Sequence, residues 1–96
     1  MTKTSSEKTP RFDLGQVVVT RRVYDEVSAA DIQAVLRRHQ AGDWGAVEPE
    51  DAEANERALD IGARLLSAYM IGGFRKIWII TEADRSATTV LFPEEY

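Results

Sequence analysis

Cysteine is absent from this 96-residue chain, which removes disulfide cross-links, thiolate zinc sites and a cysteine nucleophile together. Stability has to come from packing. Proline occurs at only 3 positions, too few for a proline-rich disordered or collagen-like chain. Long apolar runs are also lacking. Stretches such as Ile77-Trp78-Ile79-Ile80 last a few residues, whereas a membrane-spanning helix needs roughly 20. The opening MTKTSSEKTP has neither an apolar centre nor a small-residue cleavage site, so it does not read as a secretory signal, and a cytoplasmic address is expected. Nor is there an excess of positive charge: 12 Lys and Arg against 16 Asp and Glu give 12 − 16 = −4. A net acidic chain repels phosphate backbones. Arg21-Arg22 and Arg37-Arg38 are isolated pairs without interleaved aromatics, so direct nucleic-acid binding is not expected.

What is present is a globular composition, 44% apolar and 29% charged, at a length that supports one core and one domain. Residues 1–11 are polar and aperiodic and read as an arm; residues 12–96 read as a single α+β domain. Val17-Val18-Val19 after Gly15 predicts a strand over Gln16–Thr20. Thr20 can cap a short helix over Arg21–Val27. Ser28 is the N-cap of a better one, in which Ile32, Val35, Leu36 and His39 recur at i, i+3, i+4 and i+7. Gly42 and Gly45 around Asp43-Trp44 end it. Glu48-Pro49-Glu50-Asp51 reads as a helix entry, with Pro in the first turn and acids at the positive end of the helix dipole. That helix, largely solvated, runs to about Ile61 before Gly62. Arg64–Ile71 alternates Leu65, Ser67, Tyr69 and Ile71 with Leu66, Ala68 and Met70. Gly72-Gly73 turns it into a second strand over Arg75–Thr81, and Thr88–Phe92 makes a third. The expected fold is a small antiparallel sheet, a C-terminal three-stranded meander plus one N-terminal strand at an edge, covered by two or three helices.

Several places invite a functional reading. The segment Thr81–Thr89 is the densest polar stretch between apolar strands. Glu82 and Asp84 beside Arg85 have the chemistry for a cation or for acid-base work, and Ser86 for nucleophilic attack beside a base. The same residues also suit a hairpin loop that hydrogen-bonds its own backbone, with Asp84 and Arg85 as a local ion pair. A calcium loop needs more alternating oxygen ligands and a closing Glu than the segment holds, so no metal or other cofactor is expected. His39, the single imidazole, sits on the apolar stripe near a helix end, where it can bond a last-turn carbonyl. Trp44, between two glycines, either plugs the core or stands out as an anchor for a partner, whereas Trp78 packs on a sheet face. The acids Glu48, Glu50, Asp51, Glu53 and Glu56 form either a solvated helix start or an electrostatic imitation of phosphates.

At Arg38–Gly45 (RHQAGDWG), Asn55–Leu59 (NERAL), Arg64–Tyr69 (RLLSAY) and Trp78–Ser86 (WIITEADRS), the chain resembles a group of small uncharacterised bacterial proteins carried on plasmids and other mobile elements. The likeness runs from about Phe12 to Tyr96. It implies a mobile-element setting and brings no activity with it. Some members are labelled as related to the modification subunit of type I restriction enzymes, but this chain has neither a Gly-rich cofactor loop after a strand nor an Asn-Pro-Pro-aromatic motif. Ala87 and the apolar Met70-Ile71 beside the turn depart from the group's pattern.

Three readings follow. The first is a non-enzymatic protein-interaction module with no catalytic residues, binding a protein partner through Asp43, Trp44, Glu82, Asp84, Arg85, Ser86 and Thr88. The second is an acidic inhibitor of a nucleic-acid-handling defence complex, of anti-CRISPR or anti-restriction type, acting through Glu48, Glu50, Asp51, Glu53 and Glu56. The third is a small hydrolase or nuclease built from His39, Asp43, Glu82, Asp84 and Arg85, which requires the helix end and the hairpin loop to converge.

Overall fold

A computed structural model describes residues 9–96. The chain runs β1 (Gln16–Val19), α1 (Arg21–Glu26), α2 (Ala29–Gln40), α3 (Pro49–Ile61), β2 (Leu65–Ile71), β3 (Arg75–Thr81) and β4 (Ala87–Leu91), closing with a 3-10 turn at Pro93–Glu95. This is an α+β fold built on one four-stranded sheet of order β1-β4-β3-β2. The meander pairs as expected: Ser67 opposite Ile79 and Tyr69 opposite Ile77, then Ile79 opposite Val90 and Thr81 opposite Thr88. β1 occupies the expected edge, but it runs parallel to β4. A parallel neighbour needs a long crossover, and the three helices between β1 and the meander supply it.

Local chemistry sets the helix ends. The Thr20 hydroxyl accepts the Val23 N–H at the start of α1, and that of Ser28 accepts the Asp31 N–H at the start of α2. Pro49 opens α3, and Gly62, at φ 73°, closes it in the left-handed region. α1 and α2 cover one face of the sheet. Val23, Val27, Ile32 and Val35 pack there against Tyr69, Ile77, Ile79, Val90 and Phe92. By strand alternation the opposite face carries Val18, Leu66, Met70, Trp78, Ile80 and Leu91.

α3 runs along β2, where Ala58 meets Leu65 and Trp44 in a second cluster. Asn55 is buried rather than solvated. Its amide donates to the Leu66 carbonyl at 2.7 Å and accepts the Leu66 N–H at 3.1 Å, taking the place of a neighbouring strand. Two residues on, the Ala68 N–H donates to the Trp44 carbonyl, and the Ala68 carbonyl accepts from Ala46. The arm expected over residues 1–11 falls mostly on residues 1–8, outside the described residues. Its boundary moves, because Arg11 already belongs to the body: its N–H donates to the Gln40 carbonyl at 2.8 Å and its guanidinium grips Glu56.

Candidate functional site

The four sequence strings meet in space, and their polar residues form an interior chain. His39, Ser67, Thr81 and Thr88 are each 0% exposed. His39 Nδ1 lies 2.5 Å from Ser67 Oγ and Nε2 lies 2.8 Å from Thr81 Oγ1. Thr81 Oγ1 is 2.7 Å from Thr88 Oγ1, which in turn is 2.7 Å from the Leu14 carbonyl. The carbonyl fixes the direction of the bonds as far as the imidazole. It has no proton, so Thr88 donates to it, Thr81 donates to Thr88, and His39 Nε2–H donates to Thr81. With the ring neutral, its proton is on Nε2 and Nδ1 accepts from Ser67. Burial, with a smaller contribution from the nearby Arg85 charge, pushes its pKa down to about 4.

This arrangement has the ingredients of a nucleophile-base pair, Ser67 with His39, oriented by Thr81. Its setting decides its role. All three are sealed beneath Phe12 and Trp44, whose rings flank the imidazole at centroid distances of 5.2 and 5.9 Å, and no substrate can reach the serine. The chain is a fully satisfied buried network. His39 does not bond a last-turn carbonyl, as its place on the helix had implied; the ring points into the sheet instead.

Trp44 is 6% exposed and plugs the core. It cannot serve as the exposed anchor of the expected binding surface. Its Nε1–H donates to Glu56 at 2.9 Å, and Glu56 also takes both guanidinium nitrogens of Arg11 at 3.1 and 2.9 Å. Those bonds, from Arg11 first and then Trp44, hold the Glu56 carboxyl below its usual range. Glu56 therefore leaves the acidic patch and joins the structure. Gly45 allows the close passage beside β2: at φ 75°, a Cβ there would lie 2.0 Å from the Ala68 carbonyl oxygen. Asp43 accepts from Arg38 Nε at 2.7 Å, which raises the Arg38 pKa.

Arg85 is equally committed. Held at φ 62°, it sends its guanidinium to the carbonyls of Ala63 at 2.6 Å and Ala58 at 3.1 Å, at the carbonyl end of α3. It thus ties the hairpin loop to α3 and makes no ion pair with Asp84. The Asp84 carboxylate accepts the Ser86 N–H at 3.0 Å, and the bonds from Ser86 lower its pKa. Glu82 and Asp84 are exposed, Ser86 is exposed and Thr88 is inside. The expected surface is thereby split: Glu82, Asp84 and Ser86 face solvent, whereas Trp44, Thr88 and the Arg85 guanidinium serve the interior. The helix end and the hairpin do meet, but through His39 and the two threonines. Of the set the hydrolase reading needed, His39 is buried and bonded to Ser67 and Thr81, whereas Glu82 and Asp84 face solvent. Among the described residues no group of three His, Asp or Glu could hold a metal ion.

The opposite face of the sheet is open. A groove of about 350 Å³ runs between α3 and the meander, with Leu66, Trp78, Ile80 and Tyr96 as its apolar walls and Asp51 and Arg64 at its rim. The Trp78 and Tyr96 rings meet edge to face at 5.8 Å. Arg64 lies over the Tyr96 ring and donates to its hydroxyl at 2.6 Å. Sequence reading placed Trp78 on a sheet face but did not find this groove, because Tyr96 and Arg64 carry no periodic signal. Ser67 was legible as the polar member of an otherwise apolar set, Leu65, Tyr69 and Ile71, but its partner was not. Comparison with protein-family models, curated proteins and solved structures finds no match. Among the described residues no helix is long and apolar enough to cross a membrane.

Proposed function

We propose that this chain is a non-enzymatic protein-interaction module whose partner seats in the groove of the open sheet face. One observation carries this reading. The side chains best suited to chemistry, His39, Ser67 and Arg85, are committed to holding the fold, while Trp78 and Tyr96 line an apolar groove that no element among the described residues covers. Aromatic walls with an arginine at the rim are the composition of interface hot spots. The partner segment presents an apolar side chain to Trp78 and Ile80, and polar groups to Asp51 and Arg64. The resemblance to mobile-element proteins supports a partner in the machinery that such elements meet.

Arg64 and Tyr96 are exposed, so the double variant Arg64→Glu, Tyr96→Ala keeps the fold. Affinity capture from the native cell, compared between the two forms, tests the reading. A partner lost with the double variant supports the groove; one retained equally contradicts it.

The narrower second reading is an acidic inhibitor of a nucleic-acid-handling defence complex. Glu48, Glu50, Asp51 and Glu53 support it, being exposed and without an ion pair among the described residues. Association with a basic partner then slows steeply between low and physiological salt, where charges are screened within about 8 Å. Replacing Glu50, Asp51 and Glu53 by Gln or Asn slows association more than it speeds dissociation. A salt-indifferent interaction contradicts this reading.

A further inference from the structure

The two edges of the sheet are finished differently. On β2 the outward backbone groups of Leu66 and Ala68 are taken by Asn55 and by the Trp44–Ala46 segment. On β1 nothing among the described residues does this. The Gln16 and Thr20 N–H groups point inward to the Ser86 and Val90 carbonyls, so in a parallel ladder the N–H and C=O groups of Val17 and Val19 point outward. Val17 is 40% exposed and Val18 43%, and they lie on opposite faces of the strand. An edge is ordinarily protected by a charge, a proline or a bulge. Gln16–Val19 contains no charged residue and no proline.

We propose that β1 pairs antiparallel with β1 of a second copy of this chain, joining two four-stranded sheets into one continuous sheet across a two-fold axis at Val18. The open edge fits itself. With Val18 opposite Val18, Val17 of each copy faces Val19 of the other. These are the residues whose N–H and C=O groups are outward, so all four inter-copy hydrogen bonds form, and the two Val18 side chains touch on the face that no helix covers. Charge agrees with the same orientation. Asp13 precedes the strand and makes no ion pair among the described residues, and Arg21, exposed and paired with Asp25 one turn along α1, follows it. Antiparallel pairing brings Asp13 of one copy toward Arg21 of the other. A single four-residue strand pair buries far less than the roughly 1,200 Å² of a stable interface, so the dimer is weak and dissociates on dilution through the micromolar range. This surface is separate from the Trp78 groove, and either can fail alone.

The test is sedimentation velocity of the full chain from about 10 μM to 1 mM, with three variants. The wild type shifts from monomer toward dimer. Val18→Lys, which sets two ammonium groups face to face on the axis, stays monomeric with unchanged thermal unfolding. Because the chain has no cysteine, Val18→Cys introduces a single thiol. At a non-hydrogen-bonded antiparallel position the two Cα atoms lie about 4.5 Å apart, within disulfide reach, so this variant cross-links to a dimer in a glutathione redox buffer. Gln16→Cys, on the same face but about 14 Å from its copy in this register, does not. A wild type that remains monomeric throughout overturns the proposal. So does a dimer that survives Val18→Lys, which would place the interface elsewhere, and so does equal cross-linking of the two cysteine variants.

Discussion

The two tryptophans occupy opposite faces of one sheet in opposite settings. Trp44 lies between Phe12 and His39 with its N–H bonded to Glu56, and the adjoining His39, Ser67, Thr81 and Thr88 are hydrogen-bonded in a chain. Trp78 stands on the far face against Tyr96, which is 70% exposed. The Trp44 side has the greater store of polar chemistry and no access; the Trp78 side has access and little chemistry beyond apolar area. A residue's chemical capacity and its accessibility are thus separated between the two faces. Substitutions on each side should therefore differ in their cost.

The largest effect belongs to Trp44→Ala, which opens a cavity beside His39 and leaves Glu56 without its indole donor. It should cost about 3 to 5 kcal/mol in denaturant unfolding. A cost near that of a surface change would remove the distinction between the two faces. Next comes acidification. His39 is neutral in the fold with a pKa of about 4, against an ordinary value near 6.5, so between those values the unfolded chain binds more protons. Stability is full above about pH 6.5 and falls progressively toward pH 4, by about 3 kcal/mol in all. The difference between wild type and His39→Gln across that window isolates this contribution from the carboxylates, and a parallel pH dependence in the two would contradict a buried neutral imidazole.

Asn55→Ala strips β2 of its partner at Leu66 and should cost about 1 to 3 kcal/mol. Hydrogen exchange at the Leu66 amide should quicken with it, and unchanged exchange would show that another group takes over the edge. Smallest is Tyr96→Ala, on the open side, within about 0.5 kcal/mol in thermal unfolding. A cost as large as that of Trp44→Ala would make the groove wall a part of the core.

Elements with strong local signals were legible in the sequence. Ser28 and the Ile32, Val35 and His39 stripe delimit α2, Gly72-Gly73 marks the hairpin, and Pro49 and Gly62 bracket α3. The direction of β1 was not, because a lone Val-rich strand has no pattern that distinguishes a parallel from an antiparallel neighbour. The candidate site was legible as a set of strings but not as roles. His39 at a helix end, Trp44 between glycines and Arg85 in a polar loop each have a local explanation that the tertiary structure replaces. Ser67 from β2 and Thr81 from β3 claim the imidazole, Glu56 from α3 claims the indole, and the end of α3 claims the guanidinium. Each of these pairings spans from 12 to 42 residues of sequence, a range over which local pattern carries no information. The groove was invisible for the same reason, being assembled from α3, two strands and Tyr96.

Binding on the Trp78 face rather than the helical one can be read by placing a photo-crosslinking residue at Tyr96, on the groove wall, or at Tyr24, which is 72% exposed on α1, and irradiating native cells that express each form. The proposed groove gives a defined cross-linked partner from position 96, lost when Arg64→Glu is added, and none from position 24. The same partner cross-linked from position 24 but not from position 96 would contradict it.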